Sequence, residues 1–359
     1  MPPTYKRRRP ECRGSGRPRD LTLKAMATDV ALDIGTARTR LATAEQGVLF
    51  DEPTMVAIDT NTGEVVDVGH GALDLVGRTP RHVVVFRPLA QGTTVDFDVT
   101  ARLIAGLFER AGVSKLSRAR VVMGVPSLAT SIERRALRQA AIQAGAREVS
   151  LMEAPIAAAI GLGLPVQDPV GSAVTVLGAG ASEAALISLG GIVSSGARRV
   201  GGNDIDNGIA TLLRLRQGVV VAPRVLEELK ISMSSARSRS HGESRTISAR
   251  AIEDGQIETI EVRAELVNAA LADTVNATLR LVQECLADAP PDLSQDVSAQ
   301  GMVLVGGHAQ LTDLAELISH TTGVNVRVAD EPGTVIIRGL QMCLEQMSSL
   351  HTLFRQVDR

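Results

Sequence analysis

The sequence predicts an α/β fold built twice, with two related halves facing each other across a cleft. Three observations predict it. Val30-Ala31-Leu32-Asp33-Ile34 is a short apolar run closing on Gly35-Thr36, and Ala173-Val174-Thr175-Val176-Leu177 closes on Gly178-Ala179 in the same way. Superposing Asp33-Ile34-Gly35-Thr36 on Val176-Leu177-Gly178-Ala179 sets the two units 143 residues apart, the mark of an internal duplication. A third strand and glycine turn, Gly301 to His308, and helical periodicity between the buried runs complete an α/β pattern.

Taken in order, the strand at Val30 runs into its turn, and Arg40-Leu41-Ala42-Thr43-Ala44 follows as a second strand. Thr54-Met55-Val56-Ala57-Ile58 reads as a third. Thr100 to Ala111 carries Leu103, Ile104, Leu107 and Phe108 at helical spacing. Arg120 to Pro126 is a buried strand feeding a helix from Ser131 to Ala144, whose polar face holds Glu133, Arg134, Arg135 and Arg138. The second unit follows: Ala173 to Ser182, Ala184 to Leu189, and Gly191-Ile192-Val193, which stands to its turn as Thr54 stands to the first. Val225 to Ser235 reads as a helix, 244–263 as strands, and 264–287 as a helix with Leu266, Val267, Ala270, Leu271, Val275 and Leu279 on its apolar side. Pro290-Pro291 breaks the chain, and Leu311 to Thr321 forms a helix after the last glycine turn.

Composition narrows the function. With 359 residues, 44% hydrophobic and 22% charged, the chain is long enough for a sizeable core and too apolar for general disorder. Five Phe, one Tyr and no Trp leave no stacking platform for single-stranded nucleic acid, so no nucleic-acid partner is expected. No run of 18 apolar residues predicts a membrane span, and the charged N-terminus lacks the apolar stretch of a secretory signal. Cys12, Cys285 and Cys343 are too scattered for a disulfide framework or a zinc site and suit a reducing cytoplasm. Residues 1–25 hold eight Lys/Arg against Glu11 and Asp20, a charge of +6, while the remainder carries −8. This basic arm reads as a solvated tail, or as a mis-assigned start with translation beginning at Met26. The organisation expected is an arm over 1–25, a first half over 26–170, a second over 171–345 and a tail over 346–359.

Glycine turns at strand ends let backbone N–H groups approach phosphate oxygens, and three of them, two related by duplication, point to a nucleotide cleft. None fits the P-loop or the dinucleotide fingerprint.

Longer stretches carry a resemblance: Asp33-Ile34-Gly35-Thr36-Ala37, Asp51 to Ile58, Gly77-Arg78-Thr79-Pro80, Arg87-Pro88-Leu89, Ala144 to Val149, Pro155 to Gly161, Val200-Gly201-Gly202 and Val303 to Gly307. Over residues 28 to 345 the chain resembles the bacterial actin-like MreB/Mbl family, within the actin and sugar-kinase superfamily. The resemblance implies an actin-like fold with ATP and Mg²⁺ between the halves. It also implies polymerisation into membrane-associated filaments that organise cell-wall synthesis and so cell shape, in a cytoplasmic, peripherally membrane-bound location. The partners implied are the chain itself, an MreB paralogue, membrane-bound wall-synthesis proteins and anionic lipid. Carried over by motif, the first phosphate turn is Asp33, Gly35, Thr36, Ala37 and Arg38, with Asp33 holding a Mg²⁺-bound water. The second is Gly178, Ala179, Gly180, Ala181 and Ser182, with Gly202 beside it. The adenosine side is Glu227, Glu228 and Lys230, then Gly306, Gly307, His308 and Ala309.

The departures from the family bear on chemistry. Arg38 replaces an Asn beside the phosphates, where it pairs with phosphate or fills the space. Asp-Ile-Gly-Gly-Gly-Thr-Thr has become Val176 to Ser182, Glu-Glu-Pro has become Glu153-Ala154-Pro155, and Asn203 replaces an Asp, with Asp204 and Asp206 close by. Phosphoryl transfer depends on placing water and metal. Each of Ala154, Val176 and Ala181 is expected to cost ~10²–10³ in hydrolysis rate. Binding is expected to outlast turnover. His308 stands where the family has glycine, in position to contact or crowd the nucleotide. In the loop Ala111 to Arg118, Leu116 and the cations Lys115, Arg118 and Arg120 are the features that would meet a membrane. The alternatives on the same fold are a degenerate paralogue that copolymerises with a true MreB filament, and an active ATPase or small-molecule kinase, which needs a catalytic carboxylate in the cleft.

Overall fold

The structure, a computed structural model, describes residues 29–113, 119–237 and 242–345. The basic arm, residues 114–118 of the basic loop and the tail after 345 lie outside the described residues.

Two five-stranded sheets form the frame. In the first, Val30–Ile34 lies centrally, antiparallel to Arg38–Thr43, which pairs with Gly47–Pro53; on its other side come Arg120–Val125 and Glu148–Glu153, both parallel. The second sheet repeats this order with Ser172–Leu177 at the centre, Ser182–Ser188 and Gly191–Arg198 on one side, and Met302–Val305 and Val326–Val328 on the other. The repeat holds residue by residue. Asp33 pairs with Arg40 and Val176 with Glu183, and the Gly35 N–H donates to the Arg38 carbonyl as Gly178 does to Ala181, each at 2.9 Å.

The third strand of the first sheet is a correction. Gly47–Pro53, not Thr54 to Ile58, pairs onto Arg38–Thr43 and matches Gly191–Arg198. Its mixed exposure gives it no clean alternation, so the more apolar run behind it reads as the stronger strand. That run, Val56–Asp59, instead centres a small sheet between Val65–Val68 and Val83–Phe86. The helix expected over 264–287 is Ala264–Ala287, whereas the one after the last glycine turn starts later, at Leu314–Thr322. Pro291 opens a helix, Pro291–Gln300, because a helix's first turn needs no N–H from it.

Each half buries a core on the outer side of its sheet. A further core lies between the sheets, built from Ala31, Ala42 and Val122 of one, Val174, Val176 and Val305 of the other, and two helices, Ala154–Gly161 and Val335–Glu345. Ala154–Gly161 gives no helical spacing, since it is apolar all round, whereas Val335–Glu345 sets Arg338, Gln341 and Glu345 on one face opposite its buried Leu340 and Cys343. The helix 335–345, expected with the second half, packs on the strands and helix of the first. The two helices cross at backbone contact: a Cβ on Gly339 would lie 1.8 Å from the Ala157 carbonyl oxygen, and one on Gly161 2.2 Å from that of Val335.

Candidate functional site: a cleft between duplicated turns

The two turns meet where the halves face each other. A Cβ on Gly180 would stand 2.5 Å from the Thr36 hydroxyl and 2.9 Å from the Gln91 backbone, so only a residue without a side chain lets the turns come this close. Between them lies the hairpin Leu89–Ala90 and Thr93–Thr94, whose Gln91 and Gly92 both take positive φ, as a two-residue turn between twisted strands requires. The Gly92 N–H donates to Thr36 at 3.0 Å, and Arg199 of the second half donates to the Gln91 carbonyl at 3.2 Å. The first turn is tied from behind: Thr54 donates its hydroxyl to the Gly35 carbonyl at 2.7 Å and its N–H to Ala37 at 2.9 Å. Ser182 ties the second by donating to the Val200 carbonyl at 2.8 Å.

Next to the second turn, Gly201-Gly202 opens the helix Gly202–Gln217, and the Gly202 and Asn203 N–H groups donate to Gly178 and Ala179. Asp204 accepts from the Gly201 N–H at 2.7 Å and caps this end. Lys230, on the helix Pro223–Met233, donates to Asp206 at 2.8 Å and to the Gly202 carbonyl at 3.2 Å. The third turn closes the same corner. Gly306 has φ +93° and its absent Cβ would lie 2.3 Å from the Leu177 carbonyl oxygen, a position open to glycine alone. Gly307 and Ala309 then form a short 3₁₀ turn with His308, which is 8% exposed and whose Nε2 has no hydrogen-bond partner. Burial, with the Lys230 cation nearby, pushes the His308 imidazole down to about 4.

Of the residues expected on the adenosine side, the structure brings Lys230 and His308 to Gly202, while Gly306 lies against Leu177 and accepts the Ala309 N–H at 3.1 Å. Glu227 faces Arg87 of the first half and Asp206, while Glu228 turns outward to Arg224 at 3.2 Å and to Arg245 at 3.9 Å. Arg38 also turns away: its guanidinium donates to the Asp51 carboxylate and, at 2.8 Å, to the Asp51 carbonyl. Arg120, expected to face lipid, is held by the Asp29 carboxylate through two of its nitrogens.

Two charged residues at the turns escape a sequence reading. Arg40, directly across from Asp33, sets its Nη1 3.6 Å from the Asp33 carboxylate and its Nε 3.3 Å from Asp51. Glu183, across from Val176, accepts the Ser127 N–H at 2.8 Å and so ties second half to first. Its burial, with Glu153 nearby, raises its carboxyl above the usual range, while Glu153 itself pairs with Arg134 at 2.8 Å. In the sequence Glu183 is the one charge in its strand and Arg40 one of two arginines in its own, and strand register decides what each faces.

The donors at Asp33 do not fit the expected Mg²⁺ ion. Its carboxylate is already engaged by a guanidinium, the equivalent position in the second half is Val176, and among the described residues no three His, Cys, Asp or Glu side chains are placed to share a metal.

The model of the MreB/Mbl protein family matches residues 27–352. The chain belongs to the MreB/Mbl family. The cell shape-determining protein MreB of Escherichia coli K12 is 36% identical over 327 residues, covering 89% of this chain and 94% of that protein. Mbl of Bacillus subtilis is 32% identical over 325 residues, covering 90% and 98%. Among solved structures, MreB5 of Spiroplasma citri bound to ADP superposes with a TM-score of 0.83 at 26% identity, covering 90% of this chain and 98% of that one. The actin-like fold expected from the sequence is therefore the fold of this family member, and its doubled sheets are the doubled halves of that architecture. No helix among the described residues is long and apolar enough to cross a membrane.

Proposed function

We propose that this MreB/Mbl family member is a cytoskeletal protein of cell shape that holds an adenine nucleotide between its halves, assembles into filaments and turns the nucleotide over slowly. The observation that carries the nucleotide reading is the meeting of three glycine turns at one corner. Gly180 faces Thr36, Gly306 abuts Leu177, and Lys230 and His308 stand beside Gly202. Backbone N–H groups at such turns suit phosphate oxygens, and a buried neutral imidazole with an unused Nε2 suits a nucleoside. ADP bound to the Spiroplasma relative supports the same reading.

Three replaced positions support slow turnover. Val176 is buried and apolar, Ala154 opens its helix without a carboxylate, and Ala181 has no hydroxyl. Glu183, across from Val176, is occupied by the Ser127 N–H. The same replacements favour a second form of the reading, in which the chain copolymerises with an MreB paralogue. Peripheral attachment to anionic membrane and contact with wall-synthesis proteins follow from the family reading. Head-to-tail assembly gives an open-ended strand.

Calorimetric titration of the full chain with ATP and ADP, followed by phosphate release, tests this. Saturable binding with phosphate release at the background rate is expected. A folded chain that binds neither nucleotide defeats the reading, and steady turnover defeats the part concerning hydrolysis. Sedimentation with and without a paralogue separates the two forms of assembly.

A further inference from the structure

We infer that Arg40 is a built-in counter-charge of the cleft, so that this chain takes the polyphosphate of an adenine nucleotide without needing a divalent cation. The inference rests on the nucleotide reading above and concerns what neutralises the phosphates.

Asp33, Arg40 and Asp51 stand in a row on neighbouring strands, on the face turned to the other half. The Asp33 and Arg40 side chains are only 14% and 13% exposed, so solvent screens their attraction little. A divalent ion at that carboxylate would sit beside a fixed cation, with one acidic partner already neutralised and Val176 offering none from the second half. Like charges this close in a poorly solvated place repel strongly.

The guanidinium meanwhile has donors to give. It has five N–H groups; its Nε finds no well-aligned partner although Asp51 lies 3.3 Å away, and Nη1 is 3.6 Å from Asp33, beyond hydrogen-bond range. Nη2 lies 3.4 Å from where a Cβ on Gly333 would be, and glycine leaves that place open. Gly333 follows Pro332, whose carbonyl accepts the Gly306 N–H at 2.7 Å, so Arg40 reaches from the first half to the edge of the third turn. A planar guanidinium there can take phosphate oxygens in pairs.

Titrating the full chain with ADP in Mg²⁺ and in EDTA tests this, alongside R40K and R40L. Affinity of the unaltered chain is expected to change less than about threefold between the two buffers. R40K is expected to keep this independence, and R40L to lose tenfold or more in EDTA and recover part of it with Mg²⁺. Binding by the unaltered chain only with Mg²⁺, or R40L binding as well as the unaltered chain in EDTA, overturns the inference and leaves the nucleotide reading standing. No binding in either buffer by a chain with a native circular dichroism spectrum overturns both. If R40L does not fold, R40K and the two-buffer comparison decide alone.

Discussion

In the first half, Asp33 at the end of its strand faces Arg40; in the second, at the same register, Val176 faces Glu183. The backbones around them are alike down to the single hydrogen bond that closes each turn. Their charges are not. The first turn holds an acid neutralised by a base, and the second an apolar side chain beside a buried acid tied to the other half. Strand pairing and glycine thus preserve the geometry of a phosphate turn, while its electrostatics depend on a few side chains that change without disturbing it. On the function proposed above, this would let binding outlast hydrolysis, because backbone donors survive replacements that remove carboxylates and hydroxyls.

Rebuilding the second turn breaks the comparison most strongly. Combining A154E, V176D and A181T is expected to raise phosphate release by about 10² or more, read in steady state. Next comes the crossing that both halves share. G339A, with its Cβ pressed 1.8 Å from a carbonyl oxygen, should cost on the order of 3 kcal/mol or more in denaturant unfolding, and G161A a similar amount.

A smaller effect separates the corner behind the second turn from its counterpart. His308 has a folded value of about 4 against an ordinary 6.5, so its neutral form stabilises the fold above pH 6.5 and that contribution is lost as pH falls towards 4. H308Q should remove a stability change on the order of 3 kcal/mol over that interval, measured by unfolding midpoints across pH. The smallest effect tests Glu183. Its raised value makes its contribution greatest below its ordinary 4.5 and smaller as pH rises through the folded value. E183Q keeps an acceptor for the Ser127 N–H, so the variant should be more stable at neutral pH and lose this slope, seen as a modest rise in Tm.

Much of the fold is legible in the sequence. The strands at Val30, Arg120 and Ala173, the helix 264–287 and the register of the duplication rest on short-range apolar patterning, which sequence carries directly. Gly47–Pro53 is not legible, because its exposure is mixed, and Ala154–Gly161 is not, because a helix wedged between two sheets is apolar on every side. At the site, Lys230 and His308 stand beside Gly202, whereas Glu228, Arg38 and Arg120 have found other partners.

The sequence by itself determined the doubled architecture and the three turns, because glycine spacing and strand alternation act over a few neighbouring residues. Only the tertiary structure decided that Arg40 stands at Asp33, that Glu183 bridges to Ser127, and that Gly161 meets Gly339. Those contacts join residues brought together by strand register and helix crossing, and a charge or a glycine in a linear chain carries no mark of what the fold will set against it.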